Sequence, residues 1–190
     1  MNERPNLKHD QKFKKSEFFD WVTGREGRYE LQDGRIIVQA GGTRNHWRVT
    51  SAFLIALRGR LAADAWEVGT TDLAVEIGDN ERYPDVLVEA AGGDGSALST
   101  SQPVILIEVL SPSSVGLDMT IKLAEYTTLA SLEAYIVASQ EEPICWVWQR
   151  GSDGCFPRLP EQIEGRDASI GLHGRSIDFP LAEIYRGIGG

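Results

Sequence analysis

Two acidic residues stand inside stretches otherwise built for burial: Asp85 in "RYPDVLVEA" (82–90) and Glu108 in "PVILIEVL" (103–110). Side chains alternate along a strand, so Leu106 and Glu108 face one way while Ile105, Ile107 and Val109 face the other. An unpaired carboxylate among such neighbours is expensive. A cation, a lysine or a protonated partner has to compensate it. Two carboxylates converging on one region of a sheet repel each other unless they share a proton or a metal. Oxygen ligands of this type suit a hard cation such as magnesium, which takes one or two carboxylates and keeps several waters. The plain alternative is that each carboxylate forms a strand-end salt bridge or faces solvent. Lys122, in "IKLAEY", shifts that balance. It belongs to the helix after the Glu108 strand, and such a helix packs back over the sheet, so its ammonium can reach the strand's C-terminal edge. Alone, a lysine there reads as an exposed helix residue; the three residues together point to chemistry.

The elements that must position these groups follow from pattern. Ser16 is expected to cap a short helix, "EFFDWV", that stops at Gly24. "YELQDGRIIV" reads as a hairpin, since Asp33-Gly34 supplies the positive φ angles of a tight turn. Thr43 is expected to cap a longer helix reaching about Ala63, with Trp47, Leu54, Leu57 and Leu61 near helical spacing and Gly59 as a weak point. Four β-prone runs follow, "WEVGT", "LAVEI", "PDVLVEA" and "PVILIEV", with "GDNE" as one of the connections. The last run is almost wholly apolar, as befits a central strand covered on both faces. A second helix carries Lys122, "AYIVAS" and "ICWVWQR" read as strands, and the remainder from Gly151 is rich in turns. Trp146 and Trp148 share a strand face and are expected to pack rather than to stack on bases. This order favours a mixed α/β (α+β) layer, a central mixed sheet flanked by helices.

At 190 residues without an internal repeat or long linker, the chain is expected to form a single domain (1–190) with a flexible N-terminal tail over 1–15. No apolar run approaches the roughly 18 residues of a membrane span, and the N-terminus lacks a signal-peptide core, so a cytoplasmic location without membrane association is expected. Cys145 and Cys155 are too few for a zinc site and read as reduced thiols. A formal charge of −9 argues against a protein that merely coats nucleic acid. It leaves room for an acidic site that meets phosphate through a metal. Positive charge gathers at Lys8, Lys12, Lys14 and Lys15 and at Arg44, Arg48, Arg58 and Arg60; each cluster reads first as a solvated tail or helix face.

With "YELQDGRI", "NHWRVTSAFLIALRGRL", "RYPDVLVEA", "IEVLSPSS", "KLAEYTTLASLEAYIVASQ" and "LAEIY" in that order, the chain resembles the Uma family of restriction-endonuclease-like proteins, within the PD-(D/E)XK nuclease superfamily. The resemblance runs from about Phe18 to Tyr185. It implies a restriction-endonuclease-like core, a magnesium site (manganese as a substitute) at Asp85 and Glu108, and DNA as substrate. The superfamily motif would put lysine two residues after the glutamate, where Leu110 stands, so the resemblance implies a lysine relocated to Lys122. Glu30 and His46 match family positions, Glu30 as a further metal ligand or an ordinary hairpin carboxylate, His46 as a phosphate or water contact or a helix-start hydrogen bonder. Gln140 is a weaker addition from the next strand. The implied activity is metal-dependent phosphodiester hydrolysis, with a non-catalytic binding or regulatory module, or a hydrolase of another phosphate ester, as rivals. A homodimer is the expectation for an enzyme cutting both strands.

Overall fold

The structure, a computed structural model, describes residues 12–39, 41–110 and 117–188. Helix α1 (Lys15–Val22) starts ahead of Ser16, and the Lys14 amide donates to the Glu17 carboxylate at 2.7 Å. Of the expected tail, residues 1–11 lie outside the described residues, and 12–15 are built into the fold. Phe13 packs beside Trp21, its amide donates to the Gly34 carbonyl, and Lys15 pairs with Glu76. Strands β1 (Arg28–Gln32) and β2 (Arg35–Gln39) form the expected hairpin, with Asp33 and Gly34 at φ 50° and 77°. Helix α2 (Arg44–Arg58) is capped by Thr43, whose hydroxyl accepts the His46 amide. It stops at Gly59, short of Ala63, and its buried face is Val49, Phe53, Ala56 and Leu57. Trp47, expected on the packed side, is exposed.

The four expected runs appear as β3 (Trp66–Thr70), β4 (Ala74–Ile77), β6 (Val86–Ala90) and β8 (Pro103–Val109). Two short strands join them: β5 (Asn80–Arg82), which uses the end of the presumed connection "GDNE", and β7 (Ser99–Thr100). A wide, π-type helical turn (Leu117–Lys122) runs into α3 (Leu123–Tyr126). Then follow β9 (Ala134–Ala138), β10 (Ile144–Gln149), β11 (Glu161–Glu164), β12 (Ser169–Leu172), β13 (Ile177–Pro180) and α4 (Leu181–Ile184).

Six strands form the central sheet in the order β11-β10-β9-β8-β6-β3. Its two middle strands, β8 and β9, are parallel, and the other neighbours are antiparallel. A parallel pair needs a crossover, here the segment carrying Lys122 and Tyr126. All seven residues of β8 are buried, as its apolar run requires. A second, five-stranded sheet runs β2-β1-β5-β4-β7.

Alternation divides the central sheet between two cores. Ile105, Ile107 and Val109, with Ile136 and Val147, pack against α2, β12, β13 and α4. Leu106, Leu87, Val137 and Trp148 pack instead with Tyr126, Leu129 and the second sheet's Val75 and Ile77. Trp148 stacks on Tyr135, in line with its expected packing role. Both cysteines are free thiols, Cys145 buried and Cys155 exposed. Among the described residues no helix is long and apolar enough to cross a membrane.

Candidate active site

The site lies where β8 ends. β6 and β8 pair antiparallel with Val86 opposite Ile107. One step further along the same register, Asp85 comes opposite Glu108. Pro84 holds the chain extended on entry, and the Val109 amide donates to Asp85 Oδ2 at 2.8 Å. Both acids are buried. A charge held there needs partners within reach, and each has them.

For Glu108 the partners come from the crossover helix. Lys122 Nζ donates to Glu108 Oε1 at 2.9 Å, and Tyr126 Oη donates to the same oxygen at 2.9 Å. Lys122 and Tyr126 are four residues apart, hence on one helix face, while Ile121 beside them points outward. Burial, with the charge of Glu108 adding to it, holds the Tyr126 phenol well above its usual range, so it stays a proton donor. The lysine missing at Leu110 thus has a counterpart in space: an ammonium on Glu108 delivered from the next element.

Asp85 receives its second partner from α2, where His46 Nε2 lies 3.2 Å from Asp85 Oδ2. The helix start is itself fixed. The Thr43 hydroxyl accepts the His46 amide and donates to Gln140 Oε1, two residues beyond β9. Gln140 is buried and, among the described residues, is linked to Asp85 through this cap and His46. Gly42 makes room for the imidazole, since a Cβ there would come within 2.8 Å of His46 Nδ1.

Glu30 is also brought in, as the centre of an ion-pair chain. Its Oε1 lies 3.5 Å from Lys122 Nζ and accepts the Tyr83 amide at 3.3 Å, and its Oε2 accepts from the fully buried Arg82 at 3.0 Å. Arg82 in turn makes a two-pronged contact with Glu125, at 2.7 and 2.9 Å. Burial works to lower the Arg82 pKa, but the hydrogen bonds and charges of Glu125 and Glu30 outweigh it and the net shift is upward. Sequence reasoning missed Arg82, Glu125 and Tyr126. Tyr126 was accessible from its four-residue spacing to Lys122; Arg82 carried no such signal, lying in a three-residue strand of polar side chains.

Among the described residues no group of three or more histidine, cysteine, aspartate or glutamate side chains is arranged to hold a metal. Two carboxylates suffice for magnesium, which fills its octahedron with water and substrate oxygens. Both described contacts to Asp85 fall on Oδ2, and the all-oxygen chemistry of Asp85 and Glu108 fits such an ion. Glu30, tied to Arg82 and Lys122, fits the role of a lysine partner better than that of a third ligand.

The chain thus combines a mixed α/β fold with a carboxylate pair and a lysine at the end of a central strand. A crystal structure described as a putative nuclease belonging to DUF820, from Anabaena variabilis, superposes with a TM-score of 0.75 over 90% of this chain and 97% of that one, at 15% identity. The family described as "Uma2: Putative restriction endonuclease" matches residues 15–178, and the chain belongs to that family. Two proteins of Synechocystis sp. are similar in sequence: slr1290, 26% identical over 180 residues and 93% of each chain, and sll1609, 32% identical over 116 residues, 58% of this chain and 66% of that one.

Proposed function

We propose that this protein is a metal-dependent endonuclease that hydrolyses phosphodiester bonds in DNA, with Asp85, Glu108 and Lys122 as its working residues. The observation that carries the reading is the ammonium of Lys122 at 2.9 Å from Glu108, beside the strand end where Asp85 lies opposite. Membership of a family described as "Putative restriction endonuclease" supports it. Asp85 and Glu108 would hold magnesium, or manganese in its place. When bound, such an ion supplies Lewis-acid polarisation of a phosphate oxygen and a more acidic water. Lys122 orients the attacking water and offsets the negative charge that grows on the phosphoryl oxygens. Tyr126 fixes the rotamer of Glu108, and His46 that of Asp85. Glu30 holds Lys122 from its other side.

The test is cleavage of supercoiled plasmid and of duplex, single-stranded and branched DNA by the purified protein with magnesium, manganese or chelator. Asp85→Ala and Glu108→Ala are each expected to lower the metal-dependent rate by roughly 100-fold or more, with circular dichroism unchanged. Full activity in either variant would remove the assigned site. Metal binding with no cleavage of any substrate would replace the enzyme with a non-catalytic nucleic-acid-binding module.

A further inference from the structure

The face of α2 turned away from the core carries a feature that the hydrolytic residues leave unused. Trp47 and Arg48 lie three and four residues after Arg44, Ser51 lies four and three after them, and Ile55 four after Ser51, so the five form one stripe. Trp47 is 65% exposed and Ile55 69%. A tryptophan left this open contributes little to the fold. Ring contacts involve Trp21, Trp66 and Trp148 among the described residues, but not Trp47. Arg58, further along the helix, is committed to the Val68 carbonyl, and Arg60 beyond it to Glu183. The side chains of Arg44 and Arg48 make no hydrogen bond or ion pair among the described residues. The chain has 28 acidic residues and a formal charge of −9, yet the helix "RNHWRVTSAFLIALR" contains none of them. Two uncommitted arginines beside an open indole are thus set on the only long helix among the described residues, and the same first turns hold His46 against Asp85.

We infer that the N-terminal half of α2 is the strand-binding surface of this protein, taking a single-stranded stretch of nucleic acid with an unpaired base stacked on Trp47 and flanking phosphates on Arg44 and Arg48. The inference rests on the proposed function for the identity of its ligand. Every base has a π-face, so an exposed indole holds an unpaired nucleotide without reading sequence. A paired base inside a duplex cannot offer that face. Arginine suits the phosphate positions because its planar guanidinium makes bidentate contacts with phosphate oxygens. The substrate class this surface selects is a nucleic acid with an unpaired segment.

Fluorescence anisotropy of labelled oligothymidylate and oligouridylate of about 20 nucleotides, and of a duplex of similar length, tests the surface in chelator, where hydrolysis cannot intrude. Trp47→Ala is expected to weaken single-strand binding by roughly 5- to 150-fold and to leave duplex binding nearly unchanged, while Trp47→Phe keeps most of the affinity. Arg44→Ala and Arg48→Ala are each expected to reduce the slope of log affinity against log salt by about 0.7. Stronger binding of one sugar than the other, with the same dependence on Trp47, supports the surface and names its ligand. Unchanged single-strand affinity in Trp47→Ala overturns it. So does a fall in sedimenting mass in that variant, which would make the stripe a contact between two copies of the chain. Trp47-dependent binding by a protein that cleaves nothing in magnesium would leave this surface standing and remove the nuclease reading. Metal-dependent cleavage with strand binding indifferent to Trp47 would do the reverse.

Discussion

Glu81 and Arg82 are neighbours on β5, both fully buried, and they show how differently a charge can be accommodated. Arg82 is held from two sides by Glu30 and Glu125, whereas neither oxygen of Glu81 has a hydrogen-bond partner among the described residues. The charges that act on it are Lys15 on α1 and Glu76 opposite on β4, and these two already pair with each other at 2.5 Å. Burial raises the Glu81 carboxyl from 4.5 to about 7, with Lys15 opposing the shift and Glu76 adding to it. The folded chain therefore binds this proton more tightly than the unfolded chain. Between pH 4.5 and about 7 the folded state holds more protons, so the free energy of unfolding falls as pH rises through that window. Glu81→Gln keeps the shape and removes the titration. Its stability relative to the parent is expected to climb across the window by about 3 kcal/mol, measured as urea midpoints over a pH series. A difference independent of pH would mean that Glu81 does not titrate there.

At the scale of the element, β5 is the strand that ties the five-stranded sheet to the site. It pairs with β1 and β4, and its Arg82 bridges Glu30 on β1 to Glu125 on α3. Arg82→Leu would leave Glu30 with the more distant Lys122, at 3.5 Å, in place of its closer cation, and removing one partner of a buried pair typically costs about 3–5 kcal/mol. Guanidinium unfolding is expected to show a loss of that size, with Arg82→Lys recovering only part of it because a lysine cannot span both carboxylates. A loss under 1 kcal/mol in Arg82→Leu would show the bridge to behave as a surface pair. These elements also mark the limits of the sequence reading. Asp85 and Glu108 stood out because a carboxylate among apolar strand neighbours needs a compensating partner, and Lys122 followed from a helix expected to pack back over the Glu108 strand. β5 was hidden because three polar residues carry no periodicity, although two of them are buried. The α2 face was misread at Trp47 because apolar residues at helical spacing were taken to share one side; Val49, Phe53, Ala56 and Leu57 face the core instead. The expected start of α1 at Ser16 missed the packing of Phe13, a contact made through the folded hairpin rather than along the chain.

Over the whole molecule, the segment after β11 closes the core that supports α2. The sequence pattern there showed little besides turns, since β12, β13 and α4 are four residues each. Ile170, Leu172, Ile177, Phe179, Leu181 and Ile184 are nonetheless buried in the same cluster as Phe53, Ile107 and Ile136. Phe179 meets Phe53 edge to face, with ring centroids 5.8 Å apart. A shared core makes the C-terminal segment part of one cooperative unit with β8, not an appendage. Phe179→Ala is therefore expected to cost about 3–5 kcal/mol in urea unfolding. It should lower the exchange protection of the buried Val109 amide, which is bonded to Asp85, by the same amount, because that amide opens only when the unit unfolds. The His46 amide, bonded to the Thr43 hydroxyl in the first turn of α2, should be unaffected, since helix starts fray locally without global unfolding. Native-state hydrogen exchange by NMR reads both at once. If protection falls only within β12 and β13 while Val109 keeps its parent value, the C-terminal segment unfolds by itself, and the site owes its position to the two sheets and the crossover helix alone.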